Sequence, residues 1–313
     1  MTLLLLLFLS PLIAAWLVNR LAPAFAARFL LRLRRRLVGL EDRRVTLADG
    51  LEIVYSEGGG SETLLLLHGL GADRSSFETV AGYLIGDHHL VIPDLPGFGE
   101  SGLAADQDYG IEAQVARIDR FVTALGLQHF HLGGNSMGGW IAAAYAARHP
   151  EKVKSLWLLA AAGTEEMMET EAVKLRQGDG GYLLLARNRQ EFDAVLTRLF
   201  CRQPFLPYCM RWAAMRNAAA SYQLHAKIFD QLLENGHDYR LEPLLPLIQA
   251  PTLLVWGDKD QVVPLSVMRT FHRLLPRSTI ALLPDVGHVP QMEAPRRVAE
   301  DYRRFQRTLQ GAG

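Results

Sequence analysis

From residue 45 onward, short apolar runs alternate with stretches of helical spacing. The runs "TLLLLHG", "HLVIP", "HFHLGG", "VKSLWLLA", "TLLVWGD" and "STIALLP" are each short and, apart from "HFHLGG", rich in Leu, Val or Ile, and are bounded by turn-forming or polar residues. All six predict strands, and "TLLLLHG" and "HLVIP" are consistent with strands buried on both faces. Between them, "GIEAQVARIDRFVTALGL" places Ile111, Val115, Ile118, Val122 and Leu125 at helical spacing, and "APRRVAEDYRRFQRTL" predicts a closing helix. Strand–helix alternation of this kind predicts an α/β chain with a mostly parallel, doubly wound sheet. "RVTLADGLEIVYSEG" adds two strands around the Asp49-Gly50 turn. The rhythm breaks over residues 164–246, which predict several helices inserted between two strand units. That position suits a cap shaping a pocket.

The chemistry centres on "HLGGNSMGGW", in which Gly134-Asn135-Ser136-Met137-Gly138 forms G-x-S-x-G between a predicted strand and a predicted helix. A sharp strand-to-helix turn there exposes the serine hydroxyl above the sheet edge. Serine needs a base to attack a carbonyl. Of the ten histidines, His288 in "LLPDVGHVPQMEAP" follows a late strand in a glycine-containing loop. His88, His89, His129 and His131 flank other strands and suit structural or surface roles. A third group must orient the imidazole and balance its positive form. Asp258 and Asp260 in "LVWGDKDQVVP" are both candidates, each in the chain order Ser, Asp, His. An oxyanion site needs two backbone N–H donors. Met137 supplies one; the other comes from "LLLLHGLGAD", with Leu70 preferred to Gly71. The His68 side chain there is expected to hold the loop rather than transfer protons.

Five motifs in order, "HGLG", "DLPGFGES", "GNSMGG", "WGDKDQVVP" and "GHVPQME", resemble the α/β-hydrolase superfamily over about residues 46–310. The resemblance implies Ser136 as nucleophile and His288 as base. It favours Asp260, the later aspartate of W-G-x-x-D-x-x-x-P, as the acid. It gives Asp94 a structural place and implies neither metal nor organic cofactor. Serine rather than aspartate at 136 argues against the epoxide hydrolases and haloalkane dehalogenases of the superfamily. The chain looks most like membrane-anchored bacterial lipases and phospholipases A1, and like monoacylglycerol-lipase-type enzymes with one N-terminal membrane helix. Cleavage of lipid acyl esters is therefore expected. A meta-cleavage-type C–C bond hydrolase and a catalytically silent membrane-anchored binding protein are the alternatives.

The N-terminus constrains location. "MTLLLLLFLSPLIAAWLVN" carries no charge over nineteen residues, about the length that spans a bilayer core as a helix. "AFA" at 24–26 also resembles a signal-peptidase site, but the segment opens without Lys or Arg, and Arg20 interrupts the path to it. A retained single-pass anchor in the cell inner membrane is the preferred reading, with the side of the large domain left open. In "APAFAARFLLRLRRRLVGL", Arg28, Arg32, Arg35 and Arg36 fall on one side of a helix, and Phe25, Phe29, Leu33, Leu37 and Leu40 on an adjoining side; Arg34 is off-pattern. That pattern suits a helix lying against anionic headgroups. A soluble helix packed on the domain, or a homodimer contact, is the alternative.

The expected organisation is a transmembrane helix over 1–20, an amphipathic juxtamembrane helix over 21–44, a catalytic core over 45–163 and 247–313, and a helical cap over 164–246. The first 44 residues hold eight arginines against two acids in a chain with 33 of each sign, so the body is mildly acidic. That balance argues against nucleic acid as a partner. Two cysteines, Cys201 and Cys209, match no metal motif and leave a single bridge as an open question.

Overall fold

The computed structural model describes residues 13–102, 107–170, 182–234 and 240–310. Its centre is one eight-stranded sheet. The strands are β1 (Glu41–Thr46), β2 (Glu52–Gly59), β3 (Thr63–Leu67), β4 (His89–Pro93), β5 (Phe130–Asn135), β6 (Val153–Leu159), β7 (Thr252–Gly257) and β8 (Ser278–Leu283). They lie in the order β1-β2-β4-β3-β5-β6-β7-β8. β2 runs antiparallel to both neighbours, and the remaining pairs are parallel.

Alternation along each strand builds two cores. Leu65 and Leu67 point to one face, with Leu132, Leu158 and Trp256. There they meet α3 (Ile111–Ala124) through Val115 and Ile118, α4 (Met137–Arg148) through Ile141, and α7 (Leu265–Leu274) through Phe271. Leu64 and Leu66 point to the other face, with Ile92, Trp157 and Val255. They meet α2 (Glu78–Leu84) through Val80 and Leu84, and α8 (Pro295–Gln310) through Val298, Tyr302 and Phe305. Two-sided burial is the reason these strands read as continuous apolar runs.

Between β6 and β7 the described residues form helices, chiefly α5 (Arg189–Leu199) and α6 (Tyr208–Glu234). Cys201 is exposed and Cys209 buried, and neither is bridged.

The N-terminal region departs from expectation in three ways. Residues 13–21 are helical, and α1 spans Pro23–Val38, ending at Gly39 in the left-handed conformation (φ 91°). The helix expected over 21–44 therefore stops early: residues 41–44 already belong to β1, because they pair with Val54–Glu57. Arg35 does not face outward with Arg28 and Arg32. It is buried, donating to Glu78 at 2.5 Å and to Asp42 at 2.9 Å, so its charge is matched inside the protein. Leu40 lies past the helix end and is buried in the sheet's core rather than on the exposed stripe. One side of α1 packs on the insertion: Ala26 and Ala27 lie against Cys209, and Asn19 Oδ1 accepts the Cys209 N–H at 2.9 Å. The other side, with Phe25, Phe29 and Leu37, is exposed. Most of the span expected over 1–20 lies outside the described residues. Among those described, no helix is long and apolar enough to cross a membrane.

Candidate active site

Ser136 sits where β5 turns into α4, with φ 56° and ψ −120°. A positive φ is costly for a residue with a Cβ and persists only where the surroundings enforce it. They do so here by close approach. A Cβ at Gly134 would run into the backbone of Gly138, and one at Gly138 into the carbonyls of Leu67 and His68. The turn is thus wedged between its own strand, its own helix and the end of β3. The Ser136 carbonyl accepts the N–H groups of Trp140 at 3.0 Å and Ala162 at 3.1 Å, which locks the elbow from behind.

The base and acid come from two later loops. Asp260 follows β7, and its side chain is fully buried. Its Oδ1 accepts the N–H groups of Val262 at 2.8 Å and Val263 at 2.9 Å. Its Oδ2 accepts from His288 Nδ1 at 2.9 Å. The hydrogen on Nδ1 leaves the lone pair on Nε2, the tautomer a general base requires. Asp258 is directed elsewhere: it accepts the Asp285 N–H at 2.7 Å and pairs with Lys259. Geometry thus separates the two aspartates that the sequence left side by side. Ser136 Oγ makes no hydrogen bond to His288; such contacts are often long before substrate binds and tighten on it. The two residues are tied through the neighbour of the serine. Asn135 Nδ2 donates to the His288 carbonyl at 3.2 Å and to the Leu159 carbonyl at 2.9 Å.

The backbone amides of Leu70 and Met137 have no acceptor among the described residues. They flank the elbow, since a Cβ at Gly69 would stand 3.2 Å from the Ser136 Cβ. The loop carrying Leu70 is held by His68, whose Nδ1–H donates to the Gly69 carbonyl and whose Nε2 accepts the Leu95 N–H, each at 2.9 Å. Complete burial pushes the His68 pKa down to about 4, so the ring stays neutral and structural. Asp94 is structural too, accepting the N–H groups of Arg74 and Glu100, each at 2.8 Å, and the Arg74 guanidinium.

Two further contributions escaped the sequence reading. The insertion packs on both loops of the site. Leu70 lies against its Tyr182–Leu185–Tyr222 cluster, and Val289 against its Phe192–Leu196–Phe200 cluster. Glu293 clasps the base loop to the end of α5. Its carboxylate accepts the N–H groups of Gly287 at 2.8 Å, Cys201 at 3.2 Å and Arg202 at 2.6 Å. The His288 N–H meanwhile donates to the Leu199 carbonyl at 2.8 Å. Glu293 follows His288 by five residues in "GHVPQME", yet nothing local says that its partners lie ninety residues upstream.

A serine on a strained elbow, a histidine held by a buried aspartate, and two open amides form a site for acyl transfer. The alpha/beta hydrolase fold family matches residues 62–295, three-quarters of the chain. The chain belongs to that family. It is 35% identical to Lipase 1 of Psychrobacter immobilis over 284 residues, covering 90% of this chain and 89% of that protein. It is 29% identical to human monoacylglycerol lipase ABHD6, covering 85% and 82% respectively. A crystal structure of a membrane phospholipase A, described as a bacterial virulence factor, superposes with a TM-score of 0.87 at 38% identity and 99% coverage of both chains.

Proposed function

We propose that this protein is a serine carboxylester hydrolase of the lipase and phospholipase type, cleaving acyl esters of membrane lipids while held at the membrane by its N-terminal segment. The observation that carries the reading is the His288–Asp260 bond behind a serine forced into a positive-φ elbow. Ser136 Oγ attacks the ester carbonyl as His288 Nε2 takes its proton. The Leu70 and Met137 amides receive the developing oxyanion. Collapse releases the alcohol, protonated by His288, and leaves an acyl-enzyme. Water, deprotonated by the same imidazole, then frees the fatty acid and restores Ser136. Asp260 stabilises the imidazolium at each step and keeps its own negative charge. The insertion over residues 164–246 acts as the cap that shelters the acyl chain, consistent with its apolar contacts at Leu70 and Val289.

The membrane part of the proposal rests on the uncharged first nineteen residues and on the exposed apolar stripe that continues along α1. It places the enzyme as a single-pass protein of the cell inner membrane. A fluorophosphonate probe should label the wild type and not Ser136→Ala, and that variant should lose ester turnover while keeping the wild-type melting profile. Undiminished turnover by Ser136→Ala would sink the assignment. Extraction of the protein from membranes by an alkaline wash would remove the anchor.

A further inference from the structure

A cleft of about 440 Å³ lies between α1 and the edge strand β1, away from Ser136 and its loops. Its walls carry five arginines, Arg28, Arg32 and Arg35 from α1 and Arg43 and Arg44 from β1, against two acids, Asp42 and Glu100. The acids are already matched: Asp42 by Arg35 at 2.9 Å, Glu100 by Arg74 at 2.9 Å. Arg43 and Arg44 are held by Glu57 at 3.1 Å and Glu52 at 2.5 Å. Arg28 and Arg32 are different. Among the described residues neither has an acidic partner; Arg28 Nε reaches only the Ala24 carbonyl of its own helix, at 3.3 Å. The surplus positive charge of the cleft therefore sits on two guanidinium groups one helical turn apart.

What lies beside them points to the occupant. Phe25, Phe29, Leu33 and Leu37 follow one another at four-residue spacing and are exposed, Leu37 by 79%. At about 100° per residue, Arg28 and Arg32 form a parallel row about 60–100° around the helix from the neighbouring members of this stripe. A helix whose apolar face is buried at the acyl boundary carries a row at that angle to the depth of the lipid phosphates. Guanidinium groups bind phosphate through paired N–H donors. One lining residue, Arg43, also stands in register with the catalytic edge of the sheet. Arg43 pairs with Tyr55, which pairs with Pro93 at the C-terminal end of β4, and β5 delivers Ser136 at that same edge.

We infer that this cleft is a binding site for the phosphate of an anionic phospholipid headgroup, seated between Arg28 and Arg32, that sets the orientation of the catalytic edge against the bilayer. The inference rests on the membrane reading above and adds a lipid class to it. Arg35, grouped with the same face by sequence, takes no part, because Glu78 and Asp42 already hold it.

The test uses the full chain in detergent micelles with equal amounts of phosphatidylglycerol and phosphatidylcholine, both ether-linked so that neither can be hydrolysed. Native mass spectrometry reads which lipid stays bound. The wild type should retain phosphatidylglycerol over phosphatidylcholine by on the order of tenfold. Arg28→Gln/Arg32→Gln should bring that ratio close to one. Arg296→Gln/Arg304→Gln, which removes two exposed charges from α8, should keep it. Three results overturn the site: a wild type with no preference, a preference that survives Arg28→Gln/Arg32→Gln, or a lipid-free dimer showing that a second copy covers this face. Hydrolysis of a soluble ester by the same wild-type sample separates the two readings. Turnover without headgroup preference overturns the cleft and leaves the catalytic reading standing.

Discussion

The catalytic edge of the sheet and the N-terminal helix are both built from buried and exposed groups in register, but they are finished to opposite degrees. At the edge, polar groups behind the reacting atoms are satisfied: Asp260 takes three hydrogen bonds, His68 two, and Glu293 three. The groups left open are the Leu70 and Met137 amides, where charge develops in the proposed reaction. Along α1, by contrast, one face is docked on the insertion and the adjoining face is left apolar and exposed. Chemistry requires preorganisation, so its surroundings are over-determined. The membrane contact proposed for α1 requires the reverse, since contacts completed inside the protein leave nothing for lipid.

That contrast can be broken at several strengths. The largest effect should come from Asp260→Asn. The amide can still accept from Val262 and Val263, but its Nδ2 faces His288 Nδ1 and forces the imidazole into the wrong tautomer. The value of kcat/KM for a soluble ester should fall roughly 10⁴-fold at pH 7 with little change in fold; a loss below tenfold would show that Asp260 does not orient the base.

Acid should weaken the over-determined region next. Burial pushes both His68 and His225, which lies on α6 and packs with His68 against Phe98, down to about 4, against about 6.5 in an unfolded chain. Between those values the unfolded state binds more protons than the native state. Stability is therefore complete above about pH 6.5 and lost as pH falls toward 4, by about 3 kcal/mol for each ring. Urea midpoints measured from pH 7 to 4 should follow that slope. His225→Phe, which preserves an aromatic ring against Phe98, should flatten part of it.

A smaller effect is expected at the clasp. Glu293→Ala strands three N–H groups and should cost about 1–2 kcal/mol in denaturant unfolding. It should lower kcat about tenfold through a displaced His288 while altering KM less. Glu293→Gln keeps an acceptor oxygen and should recover most of both; equal damage by Gln and Ala would mean that the charge, not the position, matters.

The smallest effect on folding should come from the unfinished face. Phe25→Ser/Phe29→Ser should shift the urea midpoint by no more than about 0.5 kcal/mol, because these rings are exposed. A large loss of stability would show that the stripe belongs to the protein's own core.

The central strands β3, β4 and β7 were legible because two-sided burial leaves a local mark, a run dominated by Leu, Val and Ile. The elbow was legible because the G-x-S-x-G pattern is local and Gly134 is demanded by the backbone of Gly138, although Gly138 itself is demanded by the carbonyls of Leu67 and His68 at the end of β3. Arg35 misled for the converse reason. Its partners Glu78 and Asp42 come from other elements, and helical spacing cannot distinguish a cation facing lipid from one facing a buried carboxylate. The end of α1 was misjudged likewise, since residues 41–44 become a strand only by pairing with β2.

The sequence by itself determined the strand runs, the serine turn and the two-faced character of the N-terminal helix, because each depends on residue types close along the chain. Only the tertiary structure decided that Asp260 and not Asp258 holds His288, that Glu293 joins the base loop to the insertion, and that Arg28 and Arg32 alone of the α1 arginines lining the cleft stay unmatched. Those are choices among equivalent charges, and a charge is assigned by what stands within three ångströms of it, which distant parts of the chain supply.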